Sequence, residues 1–120
     1  MLTMIMAAML AQAPSDRWVE VSRDAGQTSY IDTQSIQRRG SLATAWLRTE
    51  LATALEDGER SLMFQNEFDC DGRTYALVAW HHRGADDKTV TEGSVPSDQR
   101  RTSPVLPETQ GETELNIACR

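Results

Sequence analysis

The chain has 120 residues, 39% of them hydrophobic and 25% charged, a balance that allows one globular domain and excludes wholesale disorder. Its formal net charge of −6 excludes sequence-independent binding to nucleic acid, which needs a basic footprint. The Arg38-Arg39 and Arg100-Arg101 pairs are too short to form a polybasic patch for anionic lipid.

From the N-terminus, Leu2 to Leu10 is apolar apart from Thr3, and Ala11-Gln12-Ala13 places small residues at −3 and −1 of a cleavage site. That pattern predicts a signal peptide over 1–13 and a single mature domain over 14–120. An apolar run of roughly ten residues is too short to span a bilayer, which takes about 20, so no stable membrane span is expected. Neither cysteine lies near residue 13, so the mature chain is expected to be exported, to the periplasm, the cell surface or the medium, without a lipid anchor.

Turn signals then recur at regular intervals: Asp24-Ala25-Gly26, Arg39-Gly40, Asp57-Gly58 and Asp71-Gly72. Asp-Gly suits tight hairpins because glycine adopts positive φ without steric cost. Between the turns, 17–22, 28–32, 42–51, 60–70 and 73–83 read as strands and contain every aromatic residue of the chain, as β-propensity predicts. In the fourth of these, Leu62, Phe64, Phe68 and Cys70 share one parity with Asn66, against Met63, Gln65, Glu67 and Asp69, so Cys70 belongs to the apolar face. In the fifth, Tyr75, Leu77 and Ala79 oppose Ala76, Val78 and Trp80; apolar residues on both faces mark a central strand. Residues 84–106 are polar and interrupted by Gly84, Gly93, Pro96 and Pro104, with a short sixth strand over 88–92. A connection of this length in a small domain is expected to be functional or partly mobile. Pro107 and a Thr109/Glu112 capping box then open a short helix, with Leu115, Ala118 and Cys119 on one stripe.

An even cysteine count in a small exported chain favours one disulfide, Cys70–Cys119, over two separate buried thiols. Closing that loop would stabilise the fold by about 4 kcal/mol in the chain-entropy model. The expected architecture is therefore α+β: an antiparallel β-meander of five to six strands with a short C-terminal helix packed on one face and tethered by the disulfide.

No constellation for chemistry stands out, and neither catalysis, a metal ion nor a cofactor is expected. His81 and His82 are adjacent in a strand and point to opposite faces, so they cannot chelate one ion. One of them beside Trp80 would be the sole ligand in the alternative reading, a periplasmic small-ligand or haem-binding protein. Asp71 reads as a turn residue and Asp69 as an outward-facing strand carboxylate. If the chain binds protein, the uncovered sheet face or the 84–106 connection is the expected surface. Its exposed charged candidates are Arg83, Asp86, Asp87, Lys88, Arg100 and Arg101.

The succession Trp18-Val19-Glu20-Val21, Ser29-Tyr30-Ile31-Asp32, Ser35-Ile36 and Arg38-Arg39-Gly40, followed by Asp69-Cys70, Arg73 and Cys119, resembles the surface-adhesin protein E family over about residues 17–119. The resemblance implies a six-stranded antiparallel sheet, a helix tethered by the two cysteines, and a non-enzymatic binding module of a bacterial envelope whose partner is a host or envelope protein.

Overall fold

The computed structural model describes residues 17–120; the expected signal peptide lies outside them. Among the described residues eight strands form one antiparallel sheet: β1 (Trp18–Arg23), β2 (Gln27–Asp32), β3 (Gln37–Arg39), β4 (Leu42–Leu51), β5 (Glu59–Asp69), β6 (Thr74–Gly84), β7 (Thr89–Ser94) and β8 (Ser103–Pro104). The helix α1 (Gln110–Ala118) follows. The order is β1-β2-β4-β5-β6-β7, a meander. The short β3 extends the edge that β2 makes along β4, pairing Leu42–Thr44 where β2 pairs Leu47–Leu51. On the other side β7 pairs Ala79–Arg83 of β6 and β8 pairs Thr74 and Tyr75. The 84–106 segment thus returns to the sheet twice, through β7 and β8, with a 3-10 turn at Ser97–Gln99 between them.

Register sorts the side chains into two faces, because directly paired residues point the same way. The row Val19, Ile31, Leu47, Phe64, Trp80 and Gly93 crosses six strands on the face that carries α1. The neighbouring row Glu20, Tyr30, Arg48, Met63, His81 and Glu92 crosses them on the helix-free face. Strict alternation along β6 does not survive. Gln65 pairs Ala79 while Asn66 pairs Leu77, so Val78 is bulged out and parity inverts there. Tyr75, Leu77, Trp80 and His82 therefore share the helix face, where alternation alone sets Trp80 against Tyr75 and puts Ala79 beside it.

The core lies between the sheet and α1. Ile31, Ala43, Ala45, Leu47 and Phe68 from the strands meet Val105, Leu115, Ile117 and Ala118. Small alanines in β4 let the helix approach closely. A helix of nine residues is marginal alone, so its stability comes from this burial and from its ends. Thr109 caps it by accepting from the Glu112 amide at 3.3 Å. The Glu112 carboxylate completes only part of a capping box, because it takes the amide of Glu108 at 3.1 Å and Arg73 at 3.0 Å. At the other end Arg38 donates to the Cys119 carbonyl at 3.0 Å, a cation where the helix dipole favours one. Cys70 and Cys119 are bonded to each other, Cα atoms 5.7 Å apart, which locks this end of the helix to the end of β5.

Turn chemistry is divided differently from its sequence signals. Gly40 and Gly58 take positive φ, but in the β5–β6 turn the positive φ (54°) falls on Arg73 and not on Gly72. The carboxylate that organises this turn is Asp69, not Asp71: its Oδ1 accepts from the amides of Asp71 and Gly72 at 3.1 and 3.0 Å.

Candidate functional site

The helix-free face is organised around Arg48 of β4. Its guanidinium carbon lies 4.4 Å from the Trp18 ring centroid and 5.0 Å from that of Tyr30, so the cation is held between two aromatic residues of neighbouring strands. Arg17 approaches the Trp18 ring as well, at 5.9 Å. Its fork is engaged by Asp32 through two hydrogen bonds of 3.0 and 2.9 Å. That bonding, and then the carboxylate charge, holds the Arg17 proton more tightly than usual. Asp32 is itself buried and also caps the 3-10 turn Thr33–Ser35, accepting from the Gln34 amide. The Arg48 Nε is buried and lies 3.1 Å from the Glu50 carboxylate, yet among the described residues no partner meets it in hydrogen-bond geometry.

Beside this stack the face is hollowed into a cavity of about 470 Å³. Arg17, Arg48, Arg60 and Arg83 line it, with Glu50 and Asp87 as the opposing charges and Trp18 and Met63 as its apolar wall. A second hollow of about 340 Å³ opens farther along the same face, walled by Arg39, Gln65, Glu67 and Arg100. In a chain of net charge −6, guanidinium groups are thus concentrated on one side of the sheet.

The charged residues singled out in the sequence do not form one patch. Arg83 and Asp87 line the first cavity, joined by a 3.2 Å ion pair. Asp86 accepts from the Lys88 amide and shapes the exposed turn that carries both of them. Arg100 belongs to the second hollow, where it donates to the Val95 carbonyl at 3.2 Å and stands 4.0 Å from Glu67. Arg101 is exposed next to it. Sequence reading missed Arg48, Trp18 and Tyr30, although all three lie on strands it identified. Their meeting depends on the β1–β2–β4 register, which no local pattern encodes.

The two histidines occupy opposite faces, as their adjacency requires. His81 shares the helix-free row and bonds the Thr89 hydroxyl at 2.8 Å. His82 meets Phe64 edge-on at 4.9 Å on the helix face, with Nδ1 buried and without a hydrogen-bond partner among the described residues. Among the described residues no group of three or more His, Cys, Asp or Glu is placed to hold a metal ion. No helix among them is long and apolar enough to cross a membrane.

The family model described as surface-adhesin protein E matches residues 18–120. No match was found among curated protein sequences. Among solved structures, crystal form II of Haemophilus influenzae protein E is similar, with a TM-score of 0.65, 16% identity and 87% of each chain covered. A second structure of the same protein gives 0.65 and 16%, covering 87% of this chain and 84% of that one. Protein E from non-typeable Haemophilus influenzae gives 0.58 and 14%, covering 90% and 78%.

Proposed function

The chain belongs to the surface-adhesin protein E family, and on that premise we propose that it is an exported, non-enzymatic binding module that holds a host or envelope protein on the helix-free face of its sheet. The observation that carries this reading is Arg48 clamped between Trp18 and Tyr30 on the face of the sheet opposite α1. Tryptophan, tyrosine and arginine are the residue types that dominate interface energetics, because each combines a broad apolar surface with a directional polar group. The clamp also lowers the cost of binding: Arg48 is already ordered, so little side-chain entropy remains to be lost. The neighbouring hollow supplies further guanidinium groups to acidic or carbonyl-rich partner surface, with Arg83 and Asp87 in its wall and the exposed Asp86 and Lys88 in the turn beside it, while Arg100 and Arg101 would extend the contact at the second hollow.

Export is supported by the apolar N-terminal run and by the disulfide, since such bonds persist in oxidising compartments. The test has two stages. Protease added to intact cells should digest the native protein while a periplasmic control survives; protection until the outer membrane is opened would overturn the adhesive reading in favour of a periplasmic partner. Candidate partners are then compared on wild type and on the Trp18→Ala/Arg48→Ala double variant. Undiminished binding by a folded double variant would remove this face from the proposal.

A further inference from the structure

A different cavity, on the opposite face, has a chemical character of its own. Between α1 and strands β4 to β6 the structure leaves a half-open space of about 420 Å³, within the range of small-molecule sites. Phe64, Phe68, Tyr75, Val105 and Leu106 give it apolar walls. Among the described residues its single charged group is Glu114 of α1; no Lys, Arg or His of theirs lines it, and Tyr75 is the only other titratable group on the wall.

Glu114 is 6% exposed. Desolvation raises its pKa above the ordinary carboxyl range, and the opposing influence is one hydrogen bond from Gln110. That bond is directional. The Ser22 hydroxyl of β1 donates to Gln110 Oε1 at 2.7 Å, which turns the Gln110 amide nitrogen onto Glu114 Oε2 at 2.8 Å. The relay thus presents a donor to the carboxylate, suited to its ionised form. Among the described residues no salt bridge reaches it: Arg73, which bonds α1 from the β5–β6 turn, is spent on Glu112. The site has an aromatic wall, an acid at its base and no counter-ion.

We propose that this cavity binds a small organic cation with an apolar body, an aromatic monoamine in chemical class, whose ammonium pairs with Glu114 while its ring lies against Phe64, Phe68 and Tyr75. The pairing offsets the desolvation of the carboxylate, as a buried charge requires. An anion of the same shape meets a like charge and is rejected. The proposal goes beyond the protein-binding role of the helix-free face and does not depend on it.

The test uses tryptamine and indole-3-propionate, which share a ring and differ in the sign of charge. NMR titration of the oxidised protein near neutral pH should show tryptamine binding at least about tenfold more tightly, a factor equivalent to ~1.4 kcal/mol. Shifts should centre on Phe68, Tyr75 and α1. Glu114→Gln should abolish the preference. In wild type, tryptamine should lower the titration midpoint of the Glu114 carboxyl carbon and indole-3-propionate should not, a readout that holds even if the variant fails to fold. Absence of tryptamine binding, equal binding of the two probes, or an unmoved Glu114 midpoint would overturn the proposal.

Discussion

Breaking the Cys70–Cys119 bond, by the Cys70→Ala/Cys119→Ala double substitution or by reduction, is the perturbation whose size follows most directly from the structure. The bond closes a loop with a sequence separation of 49, so in the chain-entropy model its loss returns about 4 kcal/mol of freedom to the unfolded chain. A domain of this size holds together by only about 5–15 kcal/mol in total. With a slope of roughly 4–8 °C per kcal/mol, the melting temperature should fall by about 15–30 °C. The loss should also be uneven. The bond holds α1 at its C-terminal end, where Leu115, Ile117 and Ala118 are buried against β2, β4 and β5. A nine-residue helix released from that anchor has little stability of its own. Native-state hydrogen exchange should therefore accelerate most over 115–118, while the β4–β5 ladder keeps its relative protection. Thermal melts of oxidised and reduced protein, followed by exchange on both, give the answer. A melting point that moves by less than a few degrees, or exchange that accelerates equally in helix and sheet, would refute the view of the bond as the helix anchor.

Gly93→Ala is expected to cost about 1–3 kcal/mol in urea denaturation, because a Cβ there would overlap the Trp80 ring at Cζ2 and the indole must move off the end of its row. Asp32→Ala removes both the Arg17 fork and the cap of the 3-10 turn, and should destabilise by about 1–2 kcal/mol, with shift changes at Gln34. Arg48→Ala should cost no more than about 1–2 kcal/mol from two cation–π contacts, leaving a folded chain in which Trp18 and Tyr30 fluorescence and ring shifts change. For Glu114 the sign follows from burial: the folded chain keeps its proton to higher pH than the unfolded chain does. Its stabilising contribution is therefore present at low pH and is lost as pH rises from the ordinary carboxyl range through the raised folded pKa. Denaturation midpoints of wild type, set against Glu114→Gln across that window, should fall relative to the variant; a parallel course would contradict the desolvation.

What was legible in the sequence is what local chemistry controls. Aromatic and β-branched runs punctuated by Gly and Asp located five long strands, and the Thr109/Glu112 spacing marked the helix start within a residue or two. Parity along β5 put Phe68 and Cys70 on the face where α1 lies, and the family resemblance agreed with that layout. These signals survive folding because they act over one turn or one strand.

Other features exist only because distant segments meet. The bulge at Val78 inverts the parity of β6 and brings Trp80 to the face of Tyr75; a bulge answers to the mismatch of two twisted strands, and nothing in Ala76 to Ala79 announces it. Asp69 became the turn carboxylate in place of Asp71 through the local path of the chain, which a dipeptide signal cannot resolve. The Trp18–Tyr30–Arg48 clamp needs the registers of three strands at once. Glu114 reads as a solvated helix residue until the cavity beside it is seen. Periodicity and turn chemistry determined the elements and their apolar faces. Register and packing decided which polar groups were stranded among them, because stranding depends on the neighbours a residue acquires, and those come from the whole chain.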